Sequence, residues 1–177
     1  MGDIRPHSPV LLILAAFSRH VPALDWTLQH AVDHWGPIAL ASDHFSFEDT
    51  SYYEQTMGCG LRKKLVAFER LVDPLALVEV KHQTNHWEEA YRAATSWPEP
   101  RPLNLDPGYL TKAKLVLATT KDRDHRLYLE RGIYAEVTLH YRRGSGWQAR
   151  EWTYPDYRRG EYHEFFTRCR NYLCERL

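Results

Sequence analysis

The apolar segment near the amino terminus, Val10–Phe17, constrains the fold more than any other feature of the sequence. It is rich in Leu and Ile, and Pro9 and Ser18 bound it. Such a short, continuous apolar run is typical of a central β-strand that is covered on both faces. A membrane-spanning helix would need about 20 apolar residues, and the run lacks the cleavage site of a secretion signal. We therefore expect a buried strand.

Two amphipathic helices and three further strands are expected to follow this strand. The first helix should run from about Pro22 to Trp35 and end at Gly36-Pro37. Strands are expected over 38–42 and 62–70, and a second helix should begin at Asp73-Pro74. The apolar face of that helix should consist of Leu77, Val80, Thr84, Trp87 and Tyr91. With a strand at 101–105, the order β-α-β-β-α-β matches the ferredoxin-like split pattern.

The second half of the chain predicts a β-hairpin and a terminal helix. Asp106-Pro107-Gly108 predicts a turn, and Thr111 should cap a short helix that reaches about residue 118. Strands over 125–130 and 133–142 should form a hairpin around Arg131-Gly132, and an amphipathic helix should begin near residue 160. The alternation predicts one core-facing row, made of Ile133, Ala135, Val137, Leu139 and Tyr141.

These elements predict an α+β fold for a single domain over residues 1–177, with a mainly antiparallel sheet and the helices packed on one face. The chain carries 23 Lys and Arg against 23 Asp and Glu, so its formal net charge is zero. Since general nucleic-acid binding needs a basic surface, this balance argues against it. The three cysteines form no C-x-x-C pair, and we expect free thiols in a cytoplasmic protein. Neither a membrane partner nor an oligomeric state is indicated.

Several strings in the sequence resemble one known family. The most specific is Asn104-Leu-Asp-Pro-Gly-Tyr-Leu110, and others are Tyr52-Tyr53-Glu54, Leu115–Thr138 and Trp152–Tyr157. Together they resemble the bacterial and archaeal family known as domain of unknown function 4416, over nearly the whole chain. The resemblance implies one domain of about this size and no particular activity, although some members carry a loose GTP-binding label. The family pattern in the second helix centres on Lys81, Thr84, Asn85 and Glu88.

Familiar catalytic and metal motifs are absent from the sequence. There is no G-x-x-x-x-G-K-[ST] phosphate loop, and Thr120-Lys121-Asp122 lacks the spacing of a guanine-reading motif. No G-x-S-x-G or Cys-His arrangement supports a nucleophile. The pairs His30/His34 and His82/His86 have i,i+4 spacing, but they lie away from the apolar faces of their helices. We interpret them as solvated surface histidines and predict no metal; no cofactor is identified.

Polar residues at turns and strand ends give the best candidate site. Asp106, His125 and Glu136 are the candidate catalytic groups, and we expect them to face one cavity. Further polar and aromatic residues lie in the long first loop and near residue 155. The candidate ligand-binding residues are Asn104, Tyr109, Lys121, Arg126, Tyr128 and Tyr134. This set favours a small phosphorylated or nucleotide-like ligand. Two alternatives stay open: a metal-independent acid–base enzyme, and a structural or protein-interaction scaffold without a ligand.

Overall fold

The computed structural model describes residues 2–177, and its helices and strands lie between Val10 and Cys174. The strands are β1 (Val10–Ser18), β2 (Ile38–Ala41), β3 (Phe45–Ser46), β4 (Arg62–Val72), β5 (Asn104–Leu110), β6 (Lys114–Thr119), β7 (Leu127–Glu130), β8 (Ile133–Arg142) and β9 (Gly146–Ala149). The α-helices are α1 (Val21–Trp35), α2 (Glu54–Met57), α3 (Ala76–Ala94) and α4 (Gly160–Cys174). Short 3-10 helices cover Ser51–Tyr53 and Pro155–Arg158.

All strands belong to one antiparallel sheet, whose main order is β2-β4-β1-β5-β6-β8-β7. The small strand β3 extends the sheet beside β4, and β9 pairs with β8. Strand β1 lies between β4 and β5, and its residues are buried along their whole length, as the apolar run predicts. The first four major strands have the ferredoxin-like order. The α+β class and the antiparallel sheet are therefore confirmed.

The helices lie on both faces of the sheet, not on one face as the sequence led us to expect. Leu12, Leu14 and Ala16 of β1 pack with α1 and α3, whereas Leu11 and Ile13 pack with α4. The prediction was wrong because a strand that is apolar at every position needs cover on both sides. Among residues 2–177, no helix has the length and apolar character that a membrane crossing requires.

The segment predicted as a turn and a short helix is instead two strands, β5 and β6. Asp106-Pro107-Gly108 continues the extended chain of β5 beside β1. Thr111 does cap a turn, since its Oγ1 accepts hydrogen bonds from the backbone N–H groups of Ala113 and Lys114. That turn joins two strands, because the chain after Lys114 pairs with β5 and β8 and does not coil into a helix.

The hairpin of β7 and β8 forms around Arg131-Gly132 as predicted, and both turn residues have positive φ, 49° and 78°. Its predicted single core-facing row was wrong. The register between β6 and β8 shifts beside Val137. This bulge reverses the alternation, so that Ile133 packs near α3 while Leu139 packs with α4.

Candidate functional site

A cavity of about 540 Å³ lies where β5 and β6 separate. The two strands pair only from Gly108 to Leu110, with Leu117 to Leu115 as partners. If that register continued, Asp106 would lie opposite Thr119, but no pairing is present there. Asp106, His125 and Glu136 all border the cavity. The structure therefore brings the three candidate catalytic groups to one place.

Helix α3 supplies the hydrogen bonds that β6 does not make at this opening. Lys81 Nζ donates to the carbonyl oxygen of Leu105 at 2.9 Å, and the Leu105 N–H donates to Glu88 Oε1 at 2.7 Å. Lys81 Nζ also lies 3.8 Å from Asp106 Oδ1. Burial raises the pKa of the Glu88 carboxyl group. The side chains of α3 thus satisfy the backbone groups of Leu105 where β5 has no partner on β6.

A buried ion pair lies in the wall of the cavity. Lys63 Nζ of β4 donates to Asp156 Oδ2 at 2.6 Å, and both side chains are only 3% exposed. The ammonium group lies over several aromatic rings, at 4.5 Å from the ring centroid of Tyr157 and 4.7 Å from that of Phe47. Cation–π attraction and the carboxylate together compensate for the loss of water around this lysine.

A second buried ion pair joins the hairpin to the cavity. Arg126 Nε donates to Glu136 Oε2 at 2.8 Å, and Thr138 Oγ1 donates to Glu136 Oε1 at 3.3 Å. His125 Nε2 lies 3.3 Å from the same Oε2. Burial opposes the charge on Arg126, but the hydrogen bond and the charge of Glu136 outweigh it, so the pKa of Arg126 is raised. Both oxygens of Glu136 are occupied, which disfavours it as a general base.

Exposed aromatic and cationic residues form the mouth of the cavity, which we define as Tyr52, Lys121, Arg123, Trp152 and Tyr154. Lys121 Nζ donates to the Tyr52 hydroxyl at 2.9 Å, and this bond lowers the pKa of Tyr52. Trp152 stacks on the His125 ring at a centroid distance of 5.2 Å. The Tyr154 hydroxyl accepts a hydrogen bond from Arg126 Nη2 at 2.9 Å. The mouth therefore combines flat surfaces with positive charge.

Two buried polar groups in the cavity wall have no hydrogen-bond partner within residues 2–177. They are Asn104 Nδ2 and the Tyr157 hydroxyl. Both residues are 2% exposed, and burial raises the pKa of the Tyr157 hydroxyl well above its usual range. Because an unsatisfied buried polar group is costly, each of these groups can still gain from a hydrogen bond that the described chain does not supply.

Not all of the predicted ligand-binding residues reach the cavity. Asn104, Lys121 and Arg126 line it. Tyr109 packs instead in the apolar cluster beside α3, and Tyr128 and Tyr134 form an edge-to-face pair on the hairpin, with ring centroids 5.3 Å apart. The lining also includes charged and aromatic residues that the sequence did not mark as site candidates, among them Lys63, Arg101, Arg123 and Trp152. Only Trp152 had a signal, since it begins one of the family strings.

The helical histidines are less solvated than expected. His30 stacks on Trp26, with ring centroids 4.6 Å apart, and its edge meets Trp87 at 4.8 Å. This partial burial lowers the pKa of His30. The interpretation as solvated residues was therefore wrong for His30, because α3 approaches α1 closely. The structure of residues 2–177 shows no group of three or more His, Cys, Asp or Glu side chains arranged to hold a metal ion.

Comparison with known proteins gives a family and no described activity. The family model described as "Domain of unknown function (DUF4416)" matches residues 8–172. No curated protein and no solved structure matches the chain. The match extends from just before β1 into the last turns of α4, so it includes every lining residue of the cavity.

Proposed function

The chain belongs to the DUF4416 family, and from that premise we propose that it binds a small phosphorylated or nucleotide-like ligand in the cavity between β5 and β6. A volume of about 540 Å³ lies in the range that encloses small-molecule ligands.

Positive charge without a carboxylate partner is the observation that carries this proposal. The cavity is lined by the cations Lys63, Lys81, Arg101, Lys121, Arg123 and Arg126 and by the carboxylates Asp49, Asp106, Glu136 and Asp156. Asp49 is paired with Arg159 and Arg101 with Glu88. Within the described chain, Lys121 contacts a tyrosine and no carboxylate, and Arg123 has no side-chain partner. Two free cations at a cavity mouth suit a phosphate group.

Aromatic surfaces at the same mouth support a nucleotide-like ligand. Tyr52 is 64% exposed, Tyr154 44% and Trp152 39%. Large aromatic rings that remain exposed beside a cavity offer stacking surfaces for a base. A ligand with a phosphate and a planar group would use both features of the mouth.

Calorimetric titration tests the proposal. Adenosine and guanosine nucleotides, pyrophosphate and inorganic phosphate would be titrated into the full chain, and native mass spectrometry would identify any ligand retained on purification. The double change Lys121→Ala and Arg123→Ala should weaken phosphate-dependent binding by about tenfold or more.

A matched control removes the same charge elsewhere. Lys112 and Arg143 are exposed and lie outside the cavity, so changing both to alanine should leave binding unaltered. An equal loss in both double variants, or no binding of any phosphorylated compound, would contradict the proposal. In the second case a scaffold that binds another protein would be the better explanation.

A metal-independent acid–base enzyme is the second candidate function, and the position of His125 favours it. The ring lies between two carboxylates, with Nδ1 at 3.1 Å from Asp124 and Nε2 at 3.3 Å from Glu136. Asp106 is the candidate base, because its only ion-pair partner among residues 2–177, Lys81, is 3.8 Å away. If this is correct, His125→Gln should abolish turnover of a bound compound without preventing its binding. Loss of binding alone would assign His125 to the ligand site only.

We further propose a cytoplasmic setting. Cys59, Cys169 and Cys174 are all free thiols, which suits a reducing compartment. Fractionation of cells that produce the native chain would test this placement.

A further inference from the structure

The cavity is polarised between a deep part and the mouth. Its deep part consists of lining residues that are at most 5% exposed. Apart from the apolar Phe17, Leu117 and Ala118, these are Lys63, Lys81, Asn104, Glu136, Asp156 and Tyr157. The mouth carries the exposed cations Lys121 and Arg123. A ligand that fills the cavity must therefore satisfy two different environments.

The charges in and next to the deep part already cancel in pairs. Lys63 is paired with Asp156 at 2.6 Å and Arg126 with Glu136 at 2.8 Å. The remaining pair, Lys81 and Asp106, is looser at 3.8 Å. An anionic group entering here would meet no net positive charge, and the Asp106 carboxylate, which Lys81 balances only at 3.8 Å, would disfavour it. The phosphate is therefore expected at the mouth.

Hydrogen-bonding capacity remains unused in the deep part. Asn104 and Asp106 alternate along β5 and so project to the same face of the sheet. Asn104 Nδ2 and the Tyr157 hydroxyl have no partner in the described chain. Asp106, which lies next to the deep part with its side chain 31% exposed, can accept further hydrogen bonds. A neutral group that both donates and accepts would satisfy all three side chains.

A hydroxyl group has this chemistry. It can donate to the Asp106 carboxylate, exchange a hydrogen bond with the Tyr157 hydroxyl, and satisfy the Asn104 amide in either orientation of that amide. We infer that the ligand is the phosphate ester of a polyhydroxylated carbon skeleton, such as a sugar phosphate or the sugar of a nucleotide, with its hydroxyl groups deep in the cavity and its phosphate at the mouth. This inference rests on the proposed function.

A matched pair of probes isolates the hydroxyl groups. Glycerol phosphate and propyl phosphate share a three-carbon skeleton and a phosphate, but only the first carries free hydroxyls. Calorimetric titration of the full chain should show at least about tenfold tighter binding of glycerol phosphate. Ribose phosphate should bind more tightly still, and ribose without phosphate more weakly. Adenosine monophosphate and its dideoxy form distinguish a nucleotide from a free sugar phosphate as the source of the hydroxyls.

Substitutions at the two ends should act on different probes. Asp106→Asn should weaken glycerol phosphate and ribose phosphate by about tenfold and leave propyl phosphate and inorganic phosphate unchanged or tighter, since it removes a repulsive charge. Arg123→Ala should weaken all phosphate compounds alike. Asn104→Leu, which changes a residue of the deep part itself, is a second variant should Asp106→Asn fold poorly; thermal unfolding would establish that each variant is folded.

The possible failures are distinguishable. If no phosphate compound binds, the proposed function falls and this inference falls with it. If phosphate compounds bind but propyl phosphate matches glycerol phosphate, the inference alone is overturned. The same holds if Asp106→Asn and Asn104→Leu have no selective effect on hydroxyl-bearing probes. Loss of affinity for the dideoxy nucleotide relative to adenosine monophosphate would support the inference with a nucleotide as the source.

Discussion

The two ends of the same sheet have contrasting compositions. At the end where β5 and β6 are paired, which we call the closed end, one register row crosses five strands as Leu71, Leu11, Leu110, Leu115 and Leu139. At the other end, the open end, a row reads Phe45, Lys63, Phe17 and Asn104 and then stops, because Asn104 has no partner on β6. The same strands thus build a leucine core at one end and a polar cavity at the other.

The boundary between the two ends lies at Pro107-Gly108. Pro107 has no N–H to give to a ladder, and pairing with β6 begins at the next residue. At Gly108 the strands approach so closely that a Cβ atom would clash with the carbonyl oxygen of Val116. Pro107 thus ends the hydrogen-bond ladder with β6, and Gly108 permits the close contact beside it. The string Asp106-Pro107-Gly108, which suggests a turn, instead marks where the sheet opens.

The largest effect is expected from breaking the ion pair at the open end. Lys63→Met would leave the Asp156 carboxylate buried without its partner, and it should lower the free energy of unfolding by about 3–5 kcal/mol. Urea denaturation measures this loss. Adding Asp156→Leu should restore much of the stability, because the buried charge is then removed as well. If Lys63→Met alone were as stable as the parent protein, the stability of the open end would not depend on this ion pair.

A smaller loss is expected from the closed end. Gly108→Ala places a methyl group against Val116 and should lower the free energy of unfolding by about 1–3 kcal/mol. Gly160→Ala is the matched control, since beyond its chain neighbours and its own helix no atom of the described residues lies within 4 Å of a Cβ atom there. It should be neutral in the same urea denaturation. If both substitutions proved harmless, the strands would not be in tight contact at this boundary.

Asn104→Leu should separate stability from binding at the open end. It replaces an amide whose Nδ2 has no hydrogen-bond partner in the described part of the chain by an apolar group of similar size. The free energy of unfolding should therefore stay constant or rise by up to about 1 kcal/mol. Affinity for hydroxyl-bearing phosphate esters should fall. Asn171→Leu on the exposed face of α4 provides the control. A clear loss of stability would mean that Asn104 serves the fold and not a ligand.

The smallest effect concerns pH at the closed end. Burial, together with Arg150 and Arg142, lowers the pKa of His140 below 6.5 in the folded protein. The unfolded chain then binds the proton more readily, so stability is lost as the pH falls below about 6.5 and no penalty exists above it. Urea denaturation at several pH values should show a smaller loss of stability at low pH for His140→Phe. The control His86→Phe, at an exposed position of α3, should not change this loss. An unchanged pH dependence would contradict the assignment to His140.

Hydrophobic patterns in the sequence predicted those helices and strands whose tertiary packing agrees with their local pattern. The apolar run of β1 appears as a fully buried strand, and all five residues of the predicted α3 face are buried. The prediction of a turn and a short helix over 106–118 was wrong, because strand pairing with β1 and β8 overrides the local turn preference. The bulge beside Val137 is equally invisible in the sequence, since alternation continues through it while the backbone register does not.

The candidate site could be predicted in part. Asp106, His125 and Glu136 do line one cavity, although Asp106 lies within a strand and not at a turn. The cluster of Lys63 with aromatic rings depends on the register of β4 against β1 and on the 3-10 helix that carries Asp156. No local pattern encodes a register between strands that are distant in the sequence, so such residues emerge only when the chain is folded.

The short junction between β5 and β6 also has consequences for motion. Backbone pairing joins the two halves of the sheet only along Gly108–Leu110, while Asp106 belongs to one half and Glu136 to the other. A ligand that contacts both Asp106 and Glu136 would link the two halves of the sheet. Its binding should therefore increase the protection of the Leu110 and Leu115 amides from hydrogen exchange. The residence time of the ligand would then depend on the rate at which β5 and β6 transiently separate.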